Sequence, residues 1–574
     1  MSTRRADTGL RRATAGRSLA GALWVMGLVP FGLAACDGGN ETLFPTGGGG
    51  TGGSGGTGGT GGLEPEAITP YPGGIRRLVA RQYIGSIKTL LGDKAAAAAT
   101  PPIDPQLLGL ETIAATTLAT PPAFVDQYEV TARNIADVVM NDPASAAELV
   151  PCTPAGADDA VCMRQVVEGF APLAWRRPLT ETEITRLVST GLAGAAAFGQ
   201  FDRGVRNVIS AVLQSPNFLY IVEIGEPDPA DPTVRRLTPG ELVTRMSFFL
   251  INSTPPQALL DAANEGALDT DEGIRAMAEQ LVSQPEAQAA LNAFYDEVYL
   301  LRNLATTPKD DALFPEFTPS IRAAMREETL RLVHDVVWTR DADAREILDA
   351  DYTFVNGELA AFYGYTGVNG EEWVKVTPPE GQGRAGFLTQ GSFLARAAHA
   401  ESTSPTRRGA FILDTLLCDP VPPPPPTVNP QLPPDDGTPK SVKQKLEQHK
   451  NVPECASCHV KMDPLGLALE PFDAVGRHRT VDNGFEIDPT GETAELGSFS
   501  GPAELASLIR NDERAGNCIM KKVYRHSMGH LETKGERPAV IYLGEQFADS
   551  SYSLKTLLVN LTLSPAFRLV SDPK

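Results

Sequence analysis

One stretch constrains this chain more than any other: Cys455-Ala456-Ser457-Cys458-His459, the single Cys-x-x-Cys-His in the sequence. Two thiols three residues apart, followed directly by an imidazole, form the arrangement for covalent attachment of a c-type haem. The thiols add to the two vinyl groups of the porphyrin, and the imidazole nitrogen then binds the iron as proximal ligand. The competing readings are a disulfide and half of a zinc site. Zinc needs further ligands at a second knuckle, and no second Cys-x-x-Cys exists. The expected cofactor is therefore one haem c, held by Cys455, Cys458 and His459.

A chain of 574 residues is too long for one hydrophobic core, so several domains are expected. Aromatic residues are few, alanine is abundant, and strand-like runs of Val, Ile and Thr are scarce, which leans to helix. The expected fold class is mainly α: a multidomain helical body with a C-terminal c-type-haem module. The formal net charge of −21 makes nucleic acid a poor partner. It suits attraction to a basic redox protein, or a solvated acidic surface.

Residues 1–36 read as an export signal. Arg4, Arg5, Arg11, Arg12 and Arg17 precede an apolar run, Leu19–Ala35, that leads into Leu33-Ala34-Ala35-Cys36. Small residues before a cysteine resemble the lipobox of bacterial lipoproteins, in which the cysteine is acylated and becomes the new N-terminus. The alternatives are an ordinary signal peptide and an uncleaved anchor, for which the run is slightly short. An exported lipoprotein anchored to a membrane through Cys36, facing periplasm or cell surface, is the expectation. Residues 37–67 form a Gly-rich linker that cannot bury apolar area and reads as a tether.

Four helical bodies are expected to follow, at 68–225, 226–375, 376–482 and 483–574. The periodicity predicts a helix through Ile87 and Leu91 that stops at Gly92, then helices at Pro122–Met140, Glu181–Leu192 and Arg203–Leu213. Thr180 with Glu183, and Thr238 with Glu241, fit capping boxes. Further helical patterns cover Pro256–Asn264, Asp271–Ser283, Pro285–Leu301 and Pro319–Trp338. Ser215-Pro216-Asn217-Phe218 is echoed by Ser564-Pro565-Ala566-Phe567, each ending an apolar helix. Five prolines at Pro422–Pro426 predict a stiff connector before a helix at Ser441–Lys450.

Several segments carry a resemblance. They are Arg176-Arg177-Pro178-Leu179-Thr180, Arg245-Met246-Ser247-Phe248-Phe249-Leu250, and Thr403-Ser404-Pro405 with Arg408-Gly409. Around the haem motif they are Met462-Asp463-Pro464-Leu465-Gly466 and Glu470-Pro471-Phe472-Asp473-Ala474-Val475-Gly476-Arg477. Together they resemble exported planctomycete- and myxobacterium-type cytochromes built from domain-of-unknown-function families 1587, 1595, 1592, 1588 and 1585, in that order. The resemblance implies a helical exported protein with a Cys-x-x-Cys-His module, and implies no reaction. Many relatives carry an additional N-terminal cytochrome module, where this chain has its Gly-rich linker.

Met528 and Met520 are the candidates for a distal iron ligand, with core packing as the competing reading. Asp463, Glu470, Asp473, Arg477 and Arg479 crowd the segment after the motif. An ion-pair lattice, hydrogen bonds to haem propionates and calcium binding are the readings open to them. In an oxidising compartment the remaining cysteines are expected to pair as Cys152–Cys162 and Cys418–Cys518, which uses all seven.

An electron-transfer cytochrome at the cell envelope is the expected function. A haem-dependent or other envelope enzyme, and a surface binding or scaffold protein with a structural haem, are the alternatives. No nucleophile elbow, phosphate loop or His-Glu-x-x-His motif is present, which argues against common hydrolases and nucleotide enzymes.

Overall fold

Local capping chemistry places many of the helices. Thr180 accepts from the Glu183 amide while the Glu183 carboxylate accepts from Thr180 N at 2.9 Å, which opens the helix Glu181–Phe198. Thr238 and Glu241 repeat the device at Pro239–Ile251. The first of these helices runs on past Leu192 to Gly199, whose left-handed backbone closes it. Gly92 interrupts a helix rather than ending it. Its φ of +84° kinks Ala80–Ala98, a conformation that glycine adopts without steric cost.

The computed structural model describes residues 68–229, 231–422, 440–449 and 453–573. The signal segment with Cys36, the Gly-rich linker and most of the Pro-rich connector lie outside the described residues. Within them the protein is mainly helical, with short strand pairs at the joins.

The N-terminal helices Ala80–Ala98, Pro122–Asn141, Ala160–Trp175, Glu181–Phe198 and Phe201–Gln214 turn their apolar faces onto one core containing Ile135, Phe170, Val208 and Val212. A second core gathers Met325, Leu359 and Tyr363, and it takes in Ala395 and Val475. Val475 lies just beyond the segment that follows the Cys-x-x-Cys-His motif, so that segment is packed into the body. Strand Gly74–Arg77 pairs antiparallel with Tyr220–Glu223, Ile75 opposite Val222. Strand Leu569–Val570 pairs with Arg235–Arg236, and Pro72 bridges Ser571, which brings the two ends of the described chain together.

The Ser-Pro-x-Phe echo is a structural repeat. Each copy is a one-turn helix, Pro216–Leu219 or Pro565–Arg568, followed directly by a strand. Phe218 and Phe567 are both fully buried. A buried arginine grips each turn: Arg176 donates to the carbonyls of Asn217, Phe218 and Tyr220, and Arg245 donates to that of Phe567 at 2.7 Å. Both guanidinium groups also lie over the phenyl rings they clamp. These arginines belong to two of the segments that carry the family resemblance, and gripping an orphan helix end is their structural work.

Cys152 is bonded to Cys162 with Cα atoms 5.8 Å apart, and Cys418 to Cys518 with Cα atoms 5.3 Å apart. Two disulfides point to an extracellular or periplasmic protein. Among the described residues no helix is long and apolar enough to cross a membrane.

Candidate functional site

The Cys-x-x-Cys-His sequence lies at the start of a helix, Pro453–Leu467. Proline suits a first helical turn because its missing N–H has no intrahelical partner there. Helical spacing sets positions 455, 458 and 459 on one side of this motif helix. Cys458 is half-buried and forms no disulfide. Pro464 sits inside the same helix, where it removes one internal hydrogen bond.

His459 is oriented at Nδ1 by a buried carboxylate. Its Nδ1 lies 2.9 Å and 3.1 Å from the two oxygens of Asp463, one helical turn on. Asp463 is fully buried. Its Oδ1 also accepts from Thr406 Oγ1 at 2.9 Å. A carboxylate accepts and does not donate, so the histidine donates from Nδ1. In the neutral ring with that tautomer, Nε2 is the nitrogen whose lone pair coordinates a metal.

Thr406 reaches Asp463 because two backbones touch. The helix Pro405–Phe411 is capped by Ser404 and starts with proline. It lies against the motif helix with glycine at both crossing points. A Cβ on Gly409 would overlap the carbonyl oxygen of Met462 and lie 2.6 Å from its carbonyl carbon. A Cβ on Gly466 would overlap the carbonyl oxygen of Pro405 and lie 2.5 Å from its Cα. Only glycine permits this approach.

Arg408, on the same short helix, is fully buried and closes the far end of the motif helix. It donates to the carbonyls of Leu469 (2.8 Å), Phe472 (3.1 Å) and Asp473 (2.8 Å). These are carbonyls of the turns that follow the helix, the kind of group left without helical partners. Glu470 lies 3.5 Å from Arg408, accepts from Arg479 at 2.8 Å and accepts from Thr403 Oγ1 at 2.8 Å. Burial raises the Glu470 carboxyl, and the two arginines oppose that shift.

The acidic and basic residues after the motif thus form ion pairs. Arg477 pairs with Asp473 at 3.0 Å and reaches Glu316 at 3.4 Å, and Arg479 also pairs with Asp482. Asp463 stands apart from this lattice, because its partners are His459 and Thr406. By sequence proximity alone it groups with the others. The i,i+4 spacing of His459 and Asp463 was the available signal, hidden by Pro464, which obscures the helix as continuous.

A cleft of about 640 Å³ runs beside the motif helix, lined by Lys443, Pro464, Leu467, Gly491 and Phe499 among others. Neither Cys458 nor His459 lines it.

Met520 and Met528 are both buried in the helix Glu513–Met528. Met528 lines a cavity of about 50 Å³ with Tyr71, Arg76, Glu223, Arg245 and His530, and no residue of the motif helix lines it. Arg245 Nε lies 2.7 Å from Glu223 there, and Arg76 lies 3.5 Å from the same oxygen. Burial raises the Glu223 carboxyl, but the two guanidinium groups outweigh it and hold the pKa at about 2. His526 and His530, four residues apart, face different partners. His526 packs edge-on against Phe294, and His530 stacks on Tyr71 at 3.7 Å. Among the described residues no group of three or more His, Cys, Asp or Glu is arranged to hold a metal ion.

Elsewhere in the body, burial pushes the carboxyls of Glu297 and Glu328 up to about 7. Glu328 accepts from Thr353 Oγ1 at 2.6 Å and from the Tyr363 hydroxyl at 2.7 Å. Nothing in the local sequence singles out these carboxyls, since their partners come from separate elements.

Family profiles match the chain in sequence order. Each is described as a protein of unknown function: DUF1587 at residues 76–141, DUF1595 at 162–223, DUF1592 at 237–365, DUF1588 at 384–482 and DUF1585 at 497–567. The DUF1588 profile spans both the clasping Pro405–Phe411 helix and Cys455–His459, and its short name, PSCyt3, points to a cytochrome-type family. No curated protein and no solved structure matches the chain. Arg245, Arg408, Asp463 and Glu470, whose contacts lock the body and its Cys-x-x-Cys-His helix, all fall within these matches, and the chain belongs to the proteins assembled from these five domains in this order.

Proposed function

We propose that this protein is an exported c-type cytochrome that carries one covalent haem and passes electrons at the cell envelope to a redox protein partner. The observation that carries the reading is the Cys-x-x-Cys-His sequence at the start of a helix, with His459 held through Nδ1 by Asp463. Cys455 and Cys458 would form the thioethers and His459 would be the proximal ligand. The bound haem supplies a one-electron redox centre. The donor set fits that group: Cys458 is outside any disulfide, and metal-ligating histidines characteristically donate their other ring N–H to a carboxylate or carbonyl. Asp463 gives His459 that second bond. On this reading the buried lattice around Arg408 and Glu470 fixes the motif helix in the body, so the redox centre sits on a rigid support.

Mass spectrometry of the denatured full chain, expressed with cytochrome c maturation machinery, should find one haem retained. A Cys458→Ala variant should keep at most one thioether, and its pyridine haemochrome spectrum should shift accordingly. A wild-type chain that carries no haem under those conditions overturns the reading.

Anchoring through an acylated Cys36 belongs to the same proposal and is supported by Leu33-Ala34-Ala35 before it. Cys36→Ser should move most of the protein from the membrane fraction to the soluble fraction. Undiminished membrane retention of that variant would rule the lipid anchor out.

A further inference from the structure

We infer that Asp463 is a positioning residue that sets the redox poise of the proposed haem: its carboxylate confers anionic character on the proximal imidazole and favours ferric iron. This rests on the haem reading above. Three observations support it. The first is geometry, since both Asp463 oxygens lie within hydrogen-bond distance of His459 Nδ1, at 2.9 Å and 3.1 Å. The second is burial. Asp463 is 0% exposed, so little solvent screens its charge from the ring. The third is enforcement. The glycine contacts of Gly409 and Gly466 bring Thr406 to 2.9 Å from Asp463 Oδ1, which holds the carboxylate in place at Nδ1 of the ring.

The consequence follows from charge. A carboxylate accepting from Nδ1–H draws the proton toward itself and leaves the ring a stronger donor at Nε2, raising ligand basicity. Ferric iron carries one more positive charge than ferrous iron, so the stronger and more anionic ligand favours the ferric state. The Thr406 hydroxyl works against this, because donating to Oδ1 withdraws charge from the carboxylate. The two residues therefore have opposite effects. Removing the charge at 463 raises the reduction potential, and removing the hydroxyl at 406 lowers it. A helix staple between residues four apart would predict neither sign.

The test is a redox titration of the full haem-loaded chain, wild type against Asp463→Asn and Thr406→Val, with haem content checked by pyridine haemochrome. Asp463→Asn should raise the ferrous-to-ferric ratio at a fixed applied potential at least tenfold, which is 59 mV for one electron. Thr406→Val should lower that ratio. A raised ratio for Asp463→Asn with a lowered ratio for Thr406→Val supports the inference, and the reversed pair overturns it. An Asp463→Asn ratio within twofold of wild type overturns it, and so does a shift of both variants in the same direction, which would mark loosened packing. If Asp463→Asn fails to fold, Thr406→Val decides alone: an unchanged or raised ratio overturns the inference. A wild-type chain without haem overturns this inference together with the reading it rests on. A loaded chain with an unmoved potential overturns this one only.

Discussion

Replacing Arg408 by methionine should destabilise the protein by about 3–5 kcal/mol, the cost of removing one partner of a buried ion pair. The guanidinium is fully buried and serves the carbonyls of Leu469, Phe472 and Asp473 together with the Glu470 carboxylate. Methionine restores most of the volume but none of the donors. The Phe472 carbonyl loses its donor and adds a desolvation penalty, while the carbonyls of Leu469 and Asp473 keep the Phe472 and Gly476 amides. Glu470 keeps Arg479 and Thr403, which limits the loss on the acidic side. Arg408→Lys should rescue little, because one ammonium on a flexible stem does not reproduce a planar fork spread over several acceptors. Urea denaturation measures both variants, with the midpoint falling and the slope unchanged. A loss below about 1 kcal/mol for the methionine variant, within the range of an ordinary net hydrogen bond, would show that the carbonyls find water instead.

Gly466→Ala and Gly409→Ala should each cost at least about 3 kcal/mol, at the upper end for overpacking. The reason is the identity of the atoms met. The new methyl groups would overlap the carbonyl oxygens of Pro405 and Met462, which belong to the backbone and have no alternative rotamer. Relief requires the two helices to separate, and separation withdraws Thr406 from Asp463. The same variants should therefore also lower the yield of haem-loaded protein. Gly169→Ala is the control. It lies inside the helix Ala160–Trp175 with nothing within 4 Å of its added Cβ, and it should be neutral or stabilising by up to about 1 kcal/mol. Equal effects at Gly169 and Gly466 would mean that helix propensity, not backbone contact, controls both sites.

Features settled by short-range chemistry were legible in the residues alone. Capping boxes at Thr180 and Thr238 satisfy helix N-termini with groups three residues away, so their positions are readable without the fold. The helical class follows from composition and periodicity, and the Cys-x-x-Cys-His spacing declares itself within five residues. Arg408-Gly409 and Met462-Asp463-Pro464-Leu465-Gly466 could be recognised as a pattern, but their roles could not be read from it. Gly409 and Gly466 matter because a distant backbone touches them, and Arg408 matters because its buried guanidinium finds its acceptors in three distant carbonyls. The same holds for Arg245, which pairs with Glu223 and reaches the Phe567 turn 322 residues further along the chain. These arginines have no local partner, and burial makes an unpaired charge costly. Tertiary structure decides which distant group answers each one, and here it also decided that Asp463 answers a histidine while the neighbouring acids answer arginines.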